Sequence, residues 1–459
     1  MTWASELARE IRGEVLLDEA SRESVSTDFG RMIVRKPAAV VRPASKGDVA
    51  SAVKFAVRHG LSVSTRGGGH SQTGQSLSDQ IVLDMTSLDK VLDVNPGQGT
   101  VTCQAGLKWR ALVEHLAPQQ LSPPVLTNNL GVTIGGTLST GGLGVASWRL
   151  GTQADNALEL EVVTGEGEIV RCSAQQNQDL FDAVRAGMGQ FGVIAGAKLK
   201  IRSHLPNFRS FYLLYDDLGV LLDDLKIVMN DKRFDYLESW CVPCPQGFKQ
   251  VGGTRQAFAQ WFFPLHATIE ADGKADPKSG EKLQGLNFYK HVHTEEGGLV
   301  DFFGRLDQLF VLWKRAGFWE YAHPWMECVL PWQTTALYIG QVLQNLSPQA
   351  IAGGHILLWP ARGNSSSVPL FMRPASDFLM GFGILPAVPP RFLEEALPKL
   401  NMASQASVMM GGKRYLSGYI AFDAAGWKAH YGEKWPVVVN LKNKYDPHRV
   451  LNPGFVHYE

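Results

Sequence analysis

Two glycine-rich stretches constrain the fold of this chain more than any other feature. The first, Arg66-Gly67-Gly68-Gly69-His70-Ser71, separates the β-branched run 61–65 from the apolar run 81–84, which predicts a strand, a glycine turn and a second strand. The second has six glycines within residues 131–144 and is not typical of a regular helix. Backbone without Cβ atoms can approach a flat ligand closely, so the pair favours a ligand site over an ordinary bulged loop.

The first stretch has the chemistry of an anion site. Successive backbone amides in such a turn form a concavity that binds anions, and His70 adds a nucleophile-capable ring where a diphosphate would lie. The stretch is not a P-loop, because no Gly-Lys-Ser/Thr follows, and its spacing differs from the dinucleotide fingerprint. On these residues alone, a glycine hairpin with a hydrogen-bonded histidine remains an equal alternative.

Composition excludes several classes of protein. Forty-four basic and 44 acidic residues cancel, which argues against a nucleic-acid partner or an anionic-membrane surface. Five cysteines are too few, and odd in number, for a disulfide framework, and the lone Cys241-Val-Pro-Cys244 lacks the second pair that a metal site would need. The sequence begins without a signal-peptide pattern and contains no apolar run long enough for a membrane span. We therefore expect a soluble, cytoplasmic protein without a metal.

The pattern along the chain predicts an α+β protein of two domains, since 459 residues exceed one ordinary core. Residues 1–203 resemble a nucleotide-type domain, with a helix at 46–59 capped by Ser45 and a β-hairpin at 157–172. Residues 204–412 are aromatic-rich, and the alternation at 258–263 and 355–359 indicates an antiparallel sheet with helices on one face. Residues 413–459 return to ordinary composition and end in two predicted helices.

The ordered motifs resemble one family, the vanillyl-alcohol-oxidase/PCMH flavoproteins, and within it the cytokinin dehydrogenases. The motifs that carry this resemblance are Asp28-Phe29-Gly30, Pro37–Ser45, Arg66–Ser71 with Gln75, Thr133–Ser139, Leu158–Glu168, Gly189–Ile194, His323-Pro-Trp325, Lys413–Leu416, His430–Trp435 and Tyr445-Asp-Pro. The resemblance implies that residues 1–203 and 413–459 bind FAD. It also implies that residues 204–412 cover the flavin ring and form the site for a small-molecule substrate.

The family further implies that His70 is bonded covalently to the 8α position of the flavin. The flavin contacts carried over by position are Gly67, Gly68, Gly69, His70, Ser71, Gln75, Thr133, Ser139, Leu143, Ile194, Tyr415 and Asn452. Some members have a second link from a cysteine before the second glycine-rich stretch. Asn129 occupies that place here, so we expect a single link.

The substrate site departs from the cytokinin dehydrogenase pattern. The aspartate that takes the substrate proton in that family is replaced by Asn128, whose amide can orient a substrate but cannot act as a base. The substrate-contacting glutamate aligns with Leu309, and a new acid, Glu327, follows the pocket tryptophan Trp325. The catalytic candidates are therefore Asn128, Glu327 and Tyr415. Glu327 is the proposed replacement base, with a surface or salt-bridged glutamate as the alternative, and Tyr415 could bind a substrate hydroxyl.

These features predict an FAD-dependent oxidoreductase that takes a hydride from a C–H next to nitrogen or oxygen. The electron acceptor is O₂ or another molecule. One alternative is a cytokinin dehydrogenase proper, which cleaves the N6 side chain through a different base. A second is a flavin-binding protein that has lost turnover, which the replacement at Asn128 suggests.

Overall fold

The N-terminal part of the chain forms two larger sheets with a helix between them, and one separate two-stranded sheet. The computed structural model describes residues 3–273, 277–346, 351 and 353–458. The strands of this part are β1 (Glu14–Leu16), β2 (Ala39–Arg42), β3 (Val63–Arg66), β4 (Ile81–Asp84), β5 (Val91–Asn95), β6 (Thr100–Gln104), β7 (Leu121–Ser122), β8 (Ala157–Val163), β9 (Ile169–Ser173), β10 (Val193–Lys200) and β11 (Arg202–Ser203). Its helices are α1 (Trp3–Glu10), α2 (Glu19–Ser24), α3 (Lys46–His59), α4 (Trp109–Leu116), α5 (Ile134–Leu138), α6 (Ser147–Leu150) and α7 (Gln178–Val184).

The two sheets differ in strand direction. The first has the order β1-β2-β4-β3, with β2 and β3 both parallel to β4 and β1 antiparallel to β2. The second has the order β5-β6-β10-β8-β9 and is antiparallel throughout. Because β3 and β4 are parallel neighbours, the glycine-rich segment between them is a crossover loop and not a hairpin turn.

Helix α3 joins the two sheets through one core. Ser45 caps its first turn by accepting a hydrogen bond from the backbone N–H of Gly47 at 3.2 Å, and Gly60 ends it in the left-handed conformation. Val49 and Val53 are buried in a cluster that also contains Val193 of β10. The apolar face read from the sequence therefore packs where its periodicity predicts.

The second part of the chain is built on one antiparallel sheet. Its strands are β12 (Asn207–Tyr215), β13 (Tyr236–Val251), β14 (Thr254–Ala271), β15 (Lys290–Gly297), β16 (Met326–Pro331), β17 (His355–Arg362), β18 (Phe378–Leu385) and β19 (Lys413–Arg414). They lie in the order β15-β12-β14-β13-β17-β18-β16-β19. The helices are α8 (Leu218–Asp231), α9 (Leu299–Phe303), α10 (Asp307–Arg315), α11 (Trp332–Asn345), α12 (Leu393–Met409), α13 (Ala424–Tyr431) and α14 (Trp435–Tyr445).

The two faces of this sheet have different roles. Side chains alternate along a strand, so Met326, Cys328 and Leu330 of β16 all point to one face and are buried with residues of α8, α11 and α12. Glu327 lies between them on the opposite face, which looks toward the N-terminal sheets. The expected combination of an α+β domain with an antiparallel sheet covered by helices on one face is confirmed.

Some local elements match the sequence expectations and others differ from them. The predicted hairpin is confirmed as β8 and β9, whereas β1 was not anticipated. The polar loop expected at 272–282 includes residues 274–276, which lie outside the described residues, and 277–283 form a 3₁₀ helix. No helix in the described part of the chain is long and apolar enough to span a bilayer.

Candidate active site

A cavity of about 270 Å³ lies between the glycine-rich stretches and the eight-stranded sheet. Its walls come from the loop after β3, from residues 127–143, from the start of β10 and from β16, β17 and β18. The predicted site residues that line it are Gly67, Gly68, Gly69, His70, Ser71, Gln75, Asn128, Thr133, Ser139, Leu143, Ile194, Trp325, Glu327, Tyr415 and Asn452. The fold thus brings all of them to one cavity, although they are widely separated in the sequence.

The two glycine-rich stretches are packed directly against each other. A Cβ built on Gly67 would lie 2.1 Å from Oγ1 of Thr133, and one built on Gly68 would lie 3.3 Å from the carbonyl oxygen of Gly131. Gly69 has a φ of +65°, which disfavours a side chain. The missing side chains therefore allow the two stretches to pack closely against each other, whereas the sequence inference concerned close approach of the backbone to a flat ligand.

The second stretch contains the short helix α5, which its glycine content did not predict. Oγ1 of Thr133 accepts a hydrogen bond from the backbone N–H of Gly136 at 3.4 Å, and Oγ of Ser139 donates to the carbonyl of Gly135 at 2.8 Å. A Cβ on Gly135 would meet the Cβ of Ala105 at 3.0 Å. Caps at both ends and tight packing stabilise this single turn.

A buried carboxyl shapes the loop after β3. Oδ2 of Asp28 accepts hydrogen bonds from Oγ of Ser71 at 2.9 Å and from the backbone N–H of Gly74 at 2.8 Å. Burial raises the pKa of Asp28, while these hydrogen bonds oppose the shift. Oε1 of Gln75 accepts from the backbone of Thr73 at 2.8 Å. Ser71 and Gln75 thus fix the loop as well as lining the cavity.

His70 lies among aromatic rings at the end of the glycine loop. Its ring centroid is 4.1 Å from that of Phe29 and 5.3 Å from that of Trp325. Desolvation lowers the pKa of His70 to about 3, with a smaller contribution from His323, so the imidazole is neutral near pH 7. A neutral imidazole keeps a nitrogen lone pair, which a nucleophile requires.

Asn129 lies directly beside this ring. Its Nδ2 is 3.5 Å from Nε2 of His70, and its Oδ1 accepts a hydrogen bond from the backbone N–H of Gly131 at 2.8 Å. Because Oδ1 is occupied, the amide presents an N–H to the imidazole. The place at which the resemblance would put a second linking cysteine is therefore adjacent to His70 and holds an amide.

Tyr415 and Asn452 join the C-terminal segment to the cavity. Oη of Tyr415 accepts hydrogen bonds from the backbone N–H groups of Gly142 and Leu143 at 3.2 and 3.3 Å, and burial raises its pKa to about 12. Asn452 has a positive φ, and its Oδ1 accepts from the backbone of Thr65 at 3.2 Å. The oxygen of the Tyr415 hydroxyl thus already accepts hydrogen bonds from the backbone, and its O–H can still donate a hydrogen bond to a ligand.

Glu327 is a buried acid on the cavity face of β16. Burial raises its pKa from 4.5 to about 7, and the hydrogen bond from Oγ of Ser417 and the charge of Arg414 oppose the shift. Arg414 is itself buried and donates from Nε to the carbonyl oxygen of Glu327 at 2.9 Å. The alternative of a surface glutamate is excluded, and no salt bridge of Glu327 occurs among the described residues.

The floor of the cavity is apolar, and its Trp359 side chain packs on two glycines. Cβ atoms built on Gly381 and Gly383 of β18 would each lie 3.2 Å from the indole of Trp359, so that ring lies across the two glycines. Leu357 of β17 lines the cavity beside it. Amino-acid composition gives no signal that would separate the aromatic floor of a cavity from an ordinary core.

A buried ionic cluster that the sequence did not predict lies behind Asn128. Oδ1 of Asn128 accepts from Nη2 of Arg305 at 2.9 Å, and its Nδ2 donates to Oε1 of Glu238. Oε2 of Glu238 accepts from the same Nη2 at 2.9 Å. The sequence gives one hint of this cluster, which is the acid Glu238 within the largely apolar start of β13. No residue near Glu238 in the sequence identifies its partners.

Leu309 does not line the cavity and packs in a cluster with Phe29 and Trp313, whereas Leu306 and Phe310, on either side of it in the sequence, do line the cavity.

Within the described residues, no group of His, Cys, Asp and Glu side chains could hold a metal ion. Cys241 is buried and Cys244 exposed, and both are free thiols.

Family models and known proteins agree with this geometry. A model described as an FAD binding domain matches residues 37–173, and one described as the FAD and cytokinin binding part of cytokinin dehydrogenase 1 matches residues 263–456. The chain is 31% identical over 440 residues to an uncharacterized oxidoreductase, ORF5 in the fasciation locus of Rhodococcoides fascians, and the match covers 95% of this chain and 97% of that protein. It is 29% identical over 482 residues to cytokinin dehydrogenase 7 of Oryza sativa subsp. japonica, covering 97% and 92%.

The crystal structure of 6-hydroxy-D-nicotine oxidase from Arthrobacter nicotinovorans shares the fold, with a TM-score of 0.74, 19% identity and 98% coverage of both chains. The fold and the cavity therefore define an FAD-dependent oxidoreductase with a PCMH-type FAD-binding domain. Within that class, the chain belongs to the family that contains the cytokinin dehydrogenases. The residues present fit FAD, because side chains are absent where the glycine loop meets the cavity.

Proposed function

We propose that this enzyme oxidises a small molecule at a C–H bond next to nitrogen or oxygen, with Glu327 as the acceptor of the substrate proton. The observation that carries the proposal is the position of the Glu327 carboxyl on the cavity wall. Among the described residues that line the cavity it is the only carboxylic acid, and neither lysine nor arginine lines it. Bound FAD would supply the hydride acceptor.

The surroundings of Glu327 suit a base. A pKa of about 7 places the carboxyl near the point where it is both available as the anion and basic enough to take a proton. Arg414 lies behind it and favours the ionised form, while Ser417 holds one carboxylate oxygen by a hydrogen bond. Trp325 and Trp359 keep the surroundings apolar, which strengthens these electrostatic effects.

His70 is proposed to anchor the flavin through one covalent link. Its neutral imidazole supports this role, because an unprotonated nitrogen is available for bonding. The amide of Asn129 beside it supports a single link, since an amide is not a nucleophile like the cysteine found in doubly linked relatives. The flavin contacts carried over by sequence position remain part of the same proposal.

Asn128 is proposed to bind substrate and not to accept its proton. Both ends of its amide are engaged by Glu238 and Arg305, and an amide has no basic lone pair. A cytokinin dehydrogenase proper would then need Glu327 in place of the usual aspartate. A flavin protein without turnover would need Glu327 to be inert.

The decisive experiment combines flavin analysis with reduction by substrate. Intact mass and acid precipitation should give a mass gain of one FAD with flavin colour in the pellet, and His70→Ala should release the colour. Anaerobic mixing with a panel of amines, alcohols and isopentenyladenine should then bleach the flavin with at least one compound. Bleaching by isopentenyladenine alone would favour a cytokinin dehydrogenase. Failure of every compound, in a protein whose photoreduced flavin also resists O₂ and artificial acceptors, would overturn the enzymatic proposal.

The domain boundaries 1–203, 204–412 and 413–459 are part of the proposal. The division is supported by sheet membership, since β1–β11 lie in the first segment and β12–β18 in the second, while β19 adds residues 413–414 to the edge of the larger sheet. A cytoplasmic location is proposed because all five cysteines are free thiols. The electron acceptor is proposed to be O₂ or another small molecule. The balanced charge supports the absence of a nucleic-acid or membrane partner.

A further inference from the structure

Asn128 is part of a closed ring of hydrogen bonds. Nη2 of Arg305 donates both to Oδ1 of Asn128 and to Oε2 of Glu238, each at 2.9 Å. Nδ2 of Asn128 donates to Oε1 of Glu238 and completes the ring. Asn128 lines the cavity, whereas Glu238 and Arg305 lie behind it.

This ring fixes which way the amide points. A carboxylate can only accept hydrogen bonds and a guanidinium can only donate them, so a flipped Asn128 would place oxygen against oxygen and nitrogen against nitrogen. One N–H of Nδ2 and one lone pair of Oδ1 remain for a ligand. Asn128 therefore offers a fixed, neutral donor and acceptor.

The charges behind Asn128 cancel. Glu238 is 1% exposed, and Arg305 holds the pKa of its carboxyl below the usual range despite burial. His266 of β14 approaches Oε2 of Glu238 at 3.9 Å but has a pKa of about 4 because of burial, so it is neutral near pH 7. His355 on β17, which also faces Glu238, has a pKa of about 4 for the same reason. This wall of the cavity thus carries no net charge.

The fold places Asn128 and Glu327 at opposite ends of the cavity floor. Glu238, which holds Asn128, is on β13, and Glu327 is on β16; β17 and β18 lie between these strands. Three spacings of about 4.8 Å separate the two strands by roughly 14 Å. Trp359 of β17, resting on Gly381 and Gly383 of β18, forms the apolar surface between the ends.

From this arrangement we propose that the substrate has three parts: an amine or hydroxyl end at Glu327, a flat apolar middle over Trp359, and an uncharged hydrogen-bonding group held by Asn128. Glu238 and Arg305 are positioning residues that orient the Asn128 amide. The uncharged group is a ring nitrogen, carbonyl or hydroxyl, and not an ammonium or carboxylate. This inference rests on the proposed function, since that function assigns the reacting end to Glu327.

The test uses a matched pair of secondary amines. N-methyl-4-(pyridin-4-yl)benzylamine carries a ring nitrogen at its far end, and N-methyl-4-phenylbenzylamine has the same shape without that nitrogen. Each is mixed rapidly with the FAD-loaded enzyme without O₂ over a range of concentrations. Its dissociation constant is read from the concentration dependence of the initial change in flavin absorption or tryptophan fluorescence, before or without reduction of the flavin. We expect the pyridine compound to bind about tenfold more tightly, the ratio expected for one neutral hydrogen bond.

Variants separate the two levels of the inference. Asn128→Leu removes the amide and leaves the Glu238–Arg305 pair, so it should bring the two dissociation constants together. Glu238→Gln keeps the shape but releases the amide orientation, and it should reduce the preference in the same direction. Glu270→Gln is the matched control, because Glu270 pairs with Arg202 on the same sheet but outside the cavity, and it should keep the full preference.

Equal binding of the two amines to the wild-type enzyme, or binding of neither at their solubility limits, would overturn the inference. A preference that survives in Asn128→Leu would assign it to another group and overturn the role of Asn128. These results are distinct from failure of the proposed function, which would appear as absence of bound flavin or of any reduction by the wider panel.

Discussion

At the scale of single residues, Glu327 controls the expected pH dependence of the reaction. Its pKa of about 7 means that the carboxyl is protonated at pH 6 and cannot then accept a proton. The rate of anaerobic flavin reduction should therefore rise with pH through about 7. Glu327→Gln should lower this rate by about 10²- to 10⁴-fold, the usual contribution of a general base. If Glu327→Gln keeps both the rate of flavin reduction and its rise with pH, Glu327 is not the base.

The same shift has a consequence for stability. The pKa of Glu327 is raised in the folded state, so the protonated form is favoured there and folding stability falls as pH rises from about 4.5 to about 7. Glu327→Gln resembles the protonated acid and should remove this loss, which is of the order of 3 kcal/mol for a shift of this size. Urea unfolding of both proteins should give similar midpoints at pH 4 and a higher midpoint for the variant at pH 8. If the difference in urea midpoint between the two proteins is the same at pH 4 and pH 8, the claim that burial raises the pKa of Glu327 is contradicted.

At the scale of elements, the contact between the two glycine-rich stretches is a tight steric constraint on the cavity wall. Gly67→Ala would place a methyl group 2.1 Å from Oγ1 of Thr133, so the loop after β3 must move away from α5. We expect loss of most bound flavin, measured as flavin absorbance per protein after gel filtration. Gly340→Ala is the matched control, because Gly340 lies within α11 and a methyl group there meets nothing within 4 Å. The control should keep its flavin and gain up to about 1 kcal/mol of stability from helix propensity.

Elements were predictable where their signals are local. Helix α3 begins after Ser45 and ends before Gly60 because cap residues and periodicity lie within the segment itself. Helix α5 was missed because its stability comes from packing against Ala105 and from the cap at Thr133, which override its glycine content.

The site residues were likewise predictable where their sequence signals are local. The residues carried over by the resemblance all line one cavity, because short sequence motifs carry them. The partners of Asn128 are 110 and 177 positions away in the chain, so no local pattern could pair them. The parallel arrangement of β3 and β4 was also beyond local signals, because strand direction is set by the path of the intervening loop.

At the scale of the whole molecule, the C-terminal segment ties the two domains together. Residues 413–414 add β19 to the edge of the large sheet, while Leu451 forms a parallel bridge to Val63 of β3. Tyr415 and Asn452 reach the cavity from the same segment. The glycine-rich wall and the opposite wall of the cavity are therefore positioned relative to each other by a segment that is bonded to both sheets.

The attachment of the C-terminal segment to the N-terminal part of the chain can be measured at one buried ion pair. Nζ of Lys442 donates to Oδ2 of Asp446 at 2.7 Å and to the carbonyl oxygens of Gln190 and Leu451 at 2.9 and 3.0 Å, and both charged side chains are almost fully buried. Lys442→Met would leave Asp446 charged and without its cation, which should lower the free energy of unfolding by about 3–5 kcal/mol.

The neighbouring Lys444 provides the comparison for this prediction. Lys444 lies on α14, as Lys442 does, and pairs with Asp179 of α7. Because its side chain is 59% exposed, Lys444→Met should change stability by less than about 1 kcal/mol. Urea unfolding followed by tryptophan fluorescence and by flavin release measures both variants. If the C-terminal segment holds the flavin site, flavin release should shift with unfolding in Lys442→Met. If both substitutions change the free energy of unfolding equally, the buried Lys442–Asp446 pair does not hold the C-terminal segment in place.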